Sequence, residues 1–436
     1  MSTIDHRYLR PVKAKNRQDM LDSPFPERED LALWQGLDYT IVPLREEGSG
    51  SYLFGCGGVF DCDGNYVPLS GIPNRIGPPS VCDAAEYKDE KVVYCGYLVN
   101  QWGHFLVEGV TRLWYFLKQD ATIDHYVFFV EEGNQREIRG NFREFLELLG
   151  IWDKLEIISR PTKYREVLVP EIGALVQRFY SKQYRAVFDA VAEAAMAAQK
   201  EESAPKRIYL SRSQFKGKGN ELKEFGHDLL DNFFERNGYL KIHPENFSLG
   251  QLIRYMRSAE VVASVSGSLA HNLLFVQQQK QIILLERGVF NDDNQADIDR
   301  IRDLNATYID ANICLYTTDF DGPFILGYTD SLKRFAEDNG YLPPEDHFLT
   351  EKYRKACFAN YMRAYWNRYR LNWFMMDWYC LGMDYMWEGF QDGYRYFAPY
   401  LDGEKPYFWY HWLFPHYQKQ FIKRVLRKQG LYHGRY

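Results

Sequence analysis

Three short runs carry the residue types that chemistry needs. In NQWGHFLVEGVTRLW, residues 100–114, helical spacing puts His104 and Glu108 four residues apart on one face. An imidazole with a carboxylate partner is a suitable general base near neutral pH, and a surface ion pair has the same spacing. In RIYLSRSQFKGKGNE, residues 207–221, a strand delivers Ser211 and Arg212 into a loop holding Lys216, Gly217, Lys218 and Gly219. A helix is expected to follow from about Asn220, with Glu221 behind it. Glycines let a backbone approach closely, and cations near a helix start favour phosphate. The spacing is not that of a Walker loop. A basic surface loop would look the same.

In EVVASVSGSLAHNLLF, residues 260–275, a buried strand ends at Val265. Ser266, Gly267 and Ser268 then turn into a helix carrying His271 and Asn272. Backbone N–H groups at such a start would face an anion, and Ser268 could equally be a simple N-cap. Asp61-Cys62-Asp63, inside DCDGN, reads as a turn rather than a metal pair.

These runs must be positioned by a scaffold, and the hydrophobic pattern indicates which. From about residue 91, short apolar strands alternate with amphipathic helices. A long Ala-rich helix runs through YRAVFDAVAEAAMAAQKEE, and SAPK reads as a linker. A second alternation begins at RIYLS and continues to TYIDA. Two consecutive blocks of this kind imply two parallel-sheet domains with helices on both faces. The expected division is 1–200, with an irregular first 90 residues, then 201–330, then a helical aromatic-rich extension, 331–436. Six of the 10 tryptophans lie in that extension, and after Glu404 its charged residues are all basic. Residues 405–436 therefore read either as an interfacial membrane contact or as a solvated basic helix end.

Composition narrows the function classes. The chain has 436 residues with 26% charged and 46% hydrophobic, which excludes a disordered protein as a whole. A net charge of -6 argues against a general nucleic-acid binder. Aromatic residues make up 17%, which suits sugar stacking and core packing alike. The 7 cysteines match no zinc or disulfide framework, so a reduced, intracellular compartment is expected.

Together, and in this order, the runs resemble glycosyltransferase family 61, whose bacterial members are often labelled capsular polysaccharide biosynthesis proteins. The resemblance rests on Trp102-Gly103-His104 with Glu108; on Arg207, Tyr209, Ser211, Arg212, Asn220 and Glu221; on Gln251; and on Ala259, Val262, Gly267, Ser268 and Asn272. It covers roughly residues 90–310. One departure is Ser266, where the family usually has His. Another is Lys216 and Lys218, where its members tend to have Arg.

The resemblance implies a GT-B fold, two Rossmann-like domains facing a cleft. It implies inverting, metal-independent transfer from a nucleotide sugar, expected to be a UDP-sugar, with no cofactor. On this reading His104 and Glu108 are catalytic. Arg212, Lys218, Asn220, Glu221, Ser266, Gly267, Ser268 and Asn272 bind the donor. Glu286, at the end of QIILLE, is placed as a ribose contact from position alone. The expected acceptor is a glycan or lipid-linked glycan of a surface or capsular polymer, met in the cytoplasm or at the inner membrane face. Two rival readings are a polyol-phosphate transferase and a degenerate, non-catalytic assembly subunit that oligomerises or docks on the membrane.

Overall fold

A computed structural model describes residues 3–45, 56–71, 86–198, 205–216, 223–288, 291–313 and 322–369, with residues 395, 396, 398, 423, 424 and 427. Two six-stranded sheets organise it. The second is the simpler, because every pair in it is parallel. Its order across the sheet is Leu240–Ile242, Arg207–Leu210, Val261–Val265, Gln281–Glu286, Asn305–Asp310 and Ile4–Tyr8. The order reverses between Arg207–Leu210 and Val261–Val265. Ligands of open α/β sheets bind at such a reversal, beyond the carboxyl ends of the strands. The second and third chemical runs leave the sheet at these two strands.

The first sheet is mixed. Its order is Cys56–Phe60, Leu33–Arg45, Thr162–Pro170, Glu86–Tyr97, His125–Phe129 and Leu155–Ile158. Leu33–Arg45 is antiparallel to both neighbours, and the other three pairs are parallel. Its reversal lies between Glu86–Tyr97 and Thr162–Pro170, and Glu86–Tyr97 leads directly into the first chemical run. Both sheets thus offer a reversal to the same region.

The Ala-rich helix, Lys182–Ala197, starts where Ser181 accepts a hydrogen bond from the Tyr184 amide. Its buried stripe of Tyr184, Val187, Phe188, Val191 and Ala195 is the periodic pattern legible in the chain. Phe188 meets Phe275 of the second unit at 5.4 Å between ring centroids, and Phe145 of helix Asn141–Leu149 meets it at 6.1 Å. One apolar core therefore runs between the sheets. Glu144 adds a polar tie: its carboxylate accepts the Leu249 and Gly250 amides at 2.6 and 2.8 Å, the first two of helix Leu249–Ser258. Carboxylates are favourable there because the helix dipole is positive at that end. Gln251 closes a capping box with Ser248 on the same helix.

The N-terminus departs from the expected division. Strand Ile4–Tyr8 adds to the edge of the second sheet, beside Asn305–Asp310, rather than to the first domain. Helix Pro11–Asp22 follows and buries Lys13 and Arg17. Arg17 and Lys13 reach the carboxylate oxygens of Glu286 at 2.9 and 3.2 Å. Lys13 also reaches Asp310 at 3.1 Å. Four charges are thus buried in mutual compensation, which is what makes their burial tolerable.

Candidate active site

The first run does not form the regular helix its spacing suggests. A single α-turn, Trp102–His104, passes into a π-helical turn, Phe105–Gly109, closed by the Val110 amide on the Phe105 carbonyl at 3.0 Å. Phe105, Leu106, Val107 and Gly109 are buried, so packing sets this geometry. Single π-turns occur frequently at functional sites. His104 Nδ1 stands 3.4 Å from Glu108 Oε1. The His104 side chain is 36% exposed and that of Glu108 is 15% exposed, so the pair is open to solvent from one side.

The same turn touches the second sheet's run directly. Trp102 Nε1 donates to Asn272 Oδ1 at 3.0 Å, while Asn272 Nδ2 donates to the Leu269 carbonyl at 2.8 Å. Asn272 therefore ties the two units together through Oδ1, while its Nδ2 bond within its own turn fixes the amide's orientation. A Cβ on Gly103 would lie 2.7 Å from Ser268 Oγ and 2.8 Å from His271 Nδ1, so only glycine permits this approach.

The turn after Val261–Val265 leads into a 3-10 helix, Ala270–Phe275, whose cap position is Leu269 with no side-chain cap. Ser268 is thus not its N-cap, and it remains exposed. Ser266 is buried, and its hydroxyl accepts the Arg287 amide at 3.2 Å. Gly267 has φ +104, in the region that favours glycine, and a Cβ there would sit 2.4 Å from Arg287 Nη2.

Arg287 opens a charged cluster. Its Nη1 lies 2.6 Å from Glu224 Oε1. Arg212 holds the same carboxylate through Nε at 3.0 Å and Nη2 at 2.8 Å. His227 Nε2 lies 2.6 Å from Oε2. Burial pushes the Glu224 carboxyl upward, but Arg287, Arg212 and His227 outweigh it and hold it well below the usual range. Two guanidiniums thus share one carboxylate. Arg212 stacks on Phe215 at 4.1 Å and Arg287 on Phe324 at 4.7 Å, so both planes are oriented. Neighbouring Ser211 and Ser213 hydroxyls donate to Asp231 at 2.6 and 2.7 Å and anchor the loop.

The structure therefore brings His104, Glu108, Ser266, Gly267, Ser268, Asn272 and Arg212 into one contiguous region. Lys218, Asn220 and Glu221 lie outside the described residues, as do residues 405–436 apart from Lys423, Arg424 and Arg427. Glu286 is placed elsewhere. It is 1% exposed, and both of its oxygens pair with Lys13 and Arg17. A ribose contact would require that buried network to open, so this expectation is corrected. Glu224 and Arg287 are the residues that sequence reasoning missed. Asp61 accepts the Asp63 and Asn65 amides, as a turn requires. Among the described residues, no group of three or more His, Cys, Asp or Glu side chains is placed to hold a metal ion. Nor is any described helix long and apolar enough to cross a membrane.

Comparison with known proteins adds a class to this geometry. Residues 102–283 match the family model described as Glycosyltransferase 61. The match begins at Trp102, spans the π-turn, Arg212, Glu224 and the Gly267 turn, and ends halfway along the Gln281–Glu286 strand. No curated protein matches the chain. Among solved structures, it is similar to the iron-containing dodecameric glycosyltransferase TibC from enterotoxigenic E. coli. Identity is 10% over 62% of this chain and 81% of that one, with a TM-score of 0.24. A score that low leaves the argument with the residues themselves.

Proposed function

We propose that this chain, a glycosyltransferase by the class its central segment matches, moves a sugar from a nucleotide diphosphate to a hydroxyl of a glycan acceptor with inversion and without a metal. One observation carries the reading. Arg212 and Arg287 converge on one carboxylate, beside the Gly267 turn, at the strand-order reversal of a fully parallel sheet. Two guanidiniums fixed there suit a leaving diphosphate, whose developing charge would otherwise call for a cation from solution. The facing reversals of the two sheets support a GT-B arrangement, with the donor on the second sheet and the acceptor on the first.

In the transfer, the acceptor oxygen attacks the anomeric carbon and the bond from that carbon to the diphosphate oxygen breaks. The electron pair leaves with the diphosphate, and the acceptor proton passes to His104, which Glu108 orients. A UDP-sugar donor and a lipid-linked acceptor of a surface polymer remain the reading for substrate. The direct test is thermal shift with nucleoside diphosphates and nucleotide sugars in EDTA. A ligand at 100 times its Kd adds about 2.7 kcal/mol of stability, which is readily seen. Selective stabilisation by one nucleotide is expected. No response to any of them would refute the donor site and favour a non-catalytic role.

A further inference from the structure

Arg287 stands one residue beyond strand Gln281–Glu286, in a stretch that is neither helix nor strand. Its guanidinium nonetheless holds Glu224 and lies over Gly267, so the backbone that carries it must be fixed from outside the sheet. The Arg287 amide donates to Ser266 Oγ at 3.2 Å, and Asn312 Nδ2 donates to the Arg287 carbonyl. Lys13 Nζ donates to the Gly288 carbonyl at 2.9 Å. Further on, Asn291 Nδ2 donates to the Lys13 carbonyl and to Asn16 Oδ1, both at 2.9 Å. Helix Pro11–Asp22 thus grips the segment after the strand at two points, from some 275 positions away in the chain.

An ammonium has three N–H donors, and Lys13 uses all of them. Glu286 at 3.2 Å and Asp310 at 3.1 Å meet two, and the Gly288 carbonyl meets the third. The two carboxylates already compensate the buried charge, so the third bond does something the ion pairs do not. Asn312 fixes the peptide that follows Arg287, and Lys13 fixes the one after it. Asn312 is held in turn by Arg10, whose Nη2 donates to its carbonyl at 2.7 Å. Pinning the peptides around a residue restricts its φ and ψ, and with them the direction of its side chain. We propose that Lys13, with Asn312, is a positioning residue for the donor site: it sets the backbone from which Arg287 reaches the diphosphate. The proposal rests on the nucleotide-sugar reading. Lys13, Arg287 and Asn312 all lie outside residues 102–283, so the matched segment does not by itself carry this support.

A purely structural role would have a different signature. Lys13→Met would then loosen helix Pro11–Asp22 and the sheet edge, and would lower affinity whether or not Arg287 is present. A positioning role acts through the arginine and has no effect once the guanidinium is gone. A double-mutant cycle separates the two.

The experiment is calorimetric titration of the full chain with UDP, ADP, GDP and CDP in EDTA. It compares wild type, Lys13→Met, Arg287→Ala and the double variant at a temperature where circular dichroism shows all four folded. Lys13→Met should bind the preferred diphosphate about tenfold more weakly than wild type, the loss expected when one charged contact is misplaced. In the Arg287→Ala background, where Arg212 still holds the ligand, the same substitution should change affinity by less than about twofold. Unchanged affinity in Lys13→Met, or an equal loss in both backgrounds, overturns the proposal while leaving the donor site intact. Failure of wild type to bind any of the four removes the donor reading itself, and the proposal with it. If Lys13→Met does not fold, Asn312→Ala takes its place in the same cycle. It removes the bond to the Arg287 carbonyl without stripping a carboxylate of its cation.

Discussion

Gly267→Ala tests the geometry of the turn after Val261–Val265 most sharply. Two costs add. The backbone at φ +104 is one that side-chain-bearing residues rarely adopt. The new Cβ would also lie 2.4 Å from Arg287 Nη2 and 3.0 Å from Cζ, so the guanidinium must move. Moving it is expected to break its 2.6 Å contact with Glu224. Backbone strain of about 1–3 kcal/mol and a lost charged hydrogen bond of about 1.5–3 kcal/mol give about 2.5–6 kcal/mol. For a unit of a few hundred residues that is a fall in Tm on the order of 10 °C. The decisive assay is a double-mutant cycle with Arg287→Ala, read by thermal or denaturant unfolding. In the double variant the clash is gone and only the strain and the lost arginine remain. The double should therefore lose less than the sum of the singles by about 1.5–3 kcal/mol. Strict additivity would refute the claim that Arg287 lies over the glycine.

Other expectations follow from neighbouring contacts. Glu224→Gln should cost about 3–5 kcal/mol, because it leaves two guanidiniums facing a neutral group. Since the wild-type carboxyl titrates below its ordinary value of 4.5, its contribution is full above that pH and is lost as pH falls. The variant's Tm should thus lose this acid-side slope, and an unchanged slope counts against the cluster. Asp299 is buried and hydrogen-bonded by Tyr308 and Gln295, and burial raises its carboxyl to about 6. Its stabilising protonated form is present below 3.8 and lost as pH rises through about 6. Asp299→Asn should therefore gain Tm on wild type between pH 4 and 7, and a constant difference would contradict this.

Trp102→Phe removes the bond to Asn272 and should cost about 0.5–1.5 kcal/mol. Nucleoside diphosphate affinity should persist while transfer falls, and equal loss of both would place Trp102 in the donor site instead. Lys13→Met leaves Glu286 and Asp310 short of a cation and should destabilise the chain by about 3–5 kcal/mol. A Tm within a degree of wild type would show that helix Pro11–Asp22 is dispensable.

The sequence is informative where burial and periodicity coincide. Val261–Val265 and Gln281–Glu286 are apolar runs, and helix Lys182–Ala197 repeats its buried residues at helical spacing, so all three were legible. The N-terminal helix was not, because it turns Lys13 and Arg17 inward, inverting the polar-outside rule on which pattern reading depends. Ile4–Tyr8 pairs with a strand some 300 positions away, which no local pattern can report. At the site, the residue types of the three runs pointed to His104, Arg212 and Gly267. Glu224 and Arg287 were missed for a physical reason. Side chains alternate at a strand end, so Glu286 faces helix Pro11–Asp22 while Arg287, one residue on, faces Gly267. A glycine turn answered by an arginine just past the next parallel strand was the available signal.

The most direct test of the account is the anomeric outcome of transfer without metal. The purified chain would be incubated with the nucleotide sugar that stabilises it, an acceptor glycan and EDTA. Proton NMR would then follow the new anomeric signal while released nucleoside diphosphate is quantified. The account predicts one diphosphate released per bond formed, with a single product of opposite anomeric configuration to the donor. Loss of transfer in His104→Ala, with diphosphate binding kept, completes that prediction. Retention of configuration, or transfer that stops in EDTA and returns with a divalent cation, would contradict it.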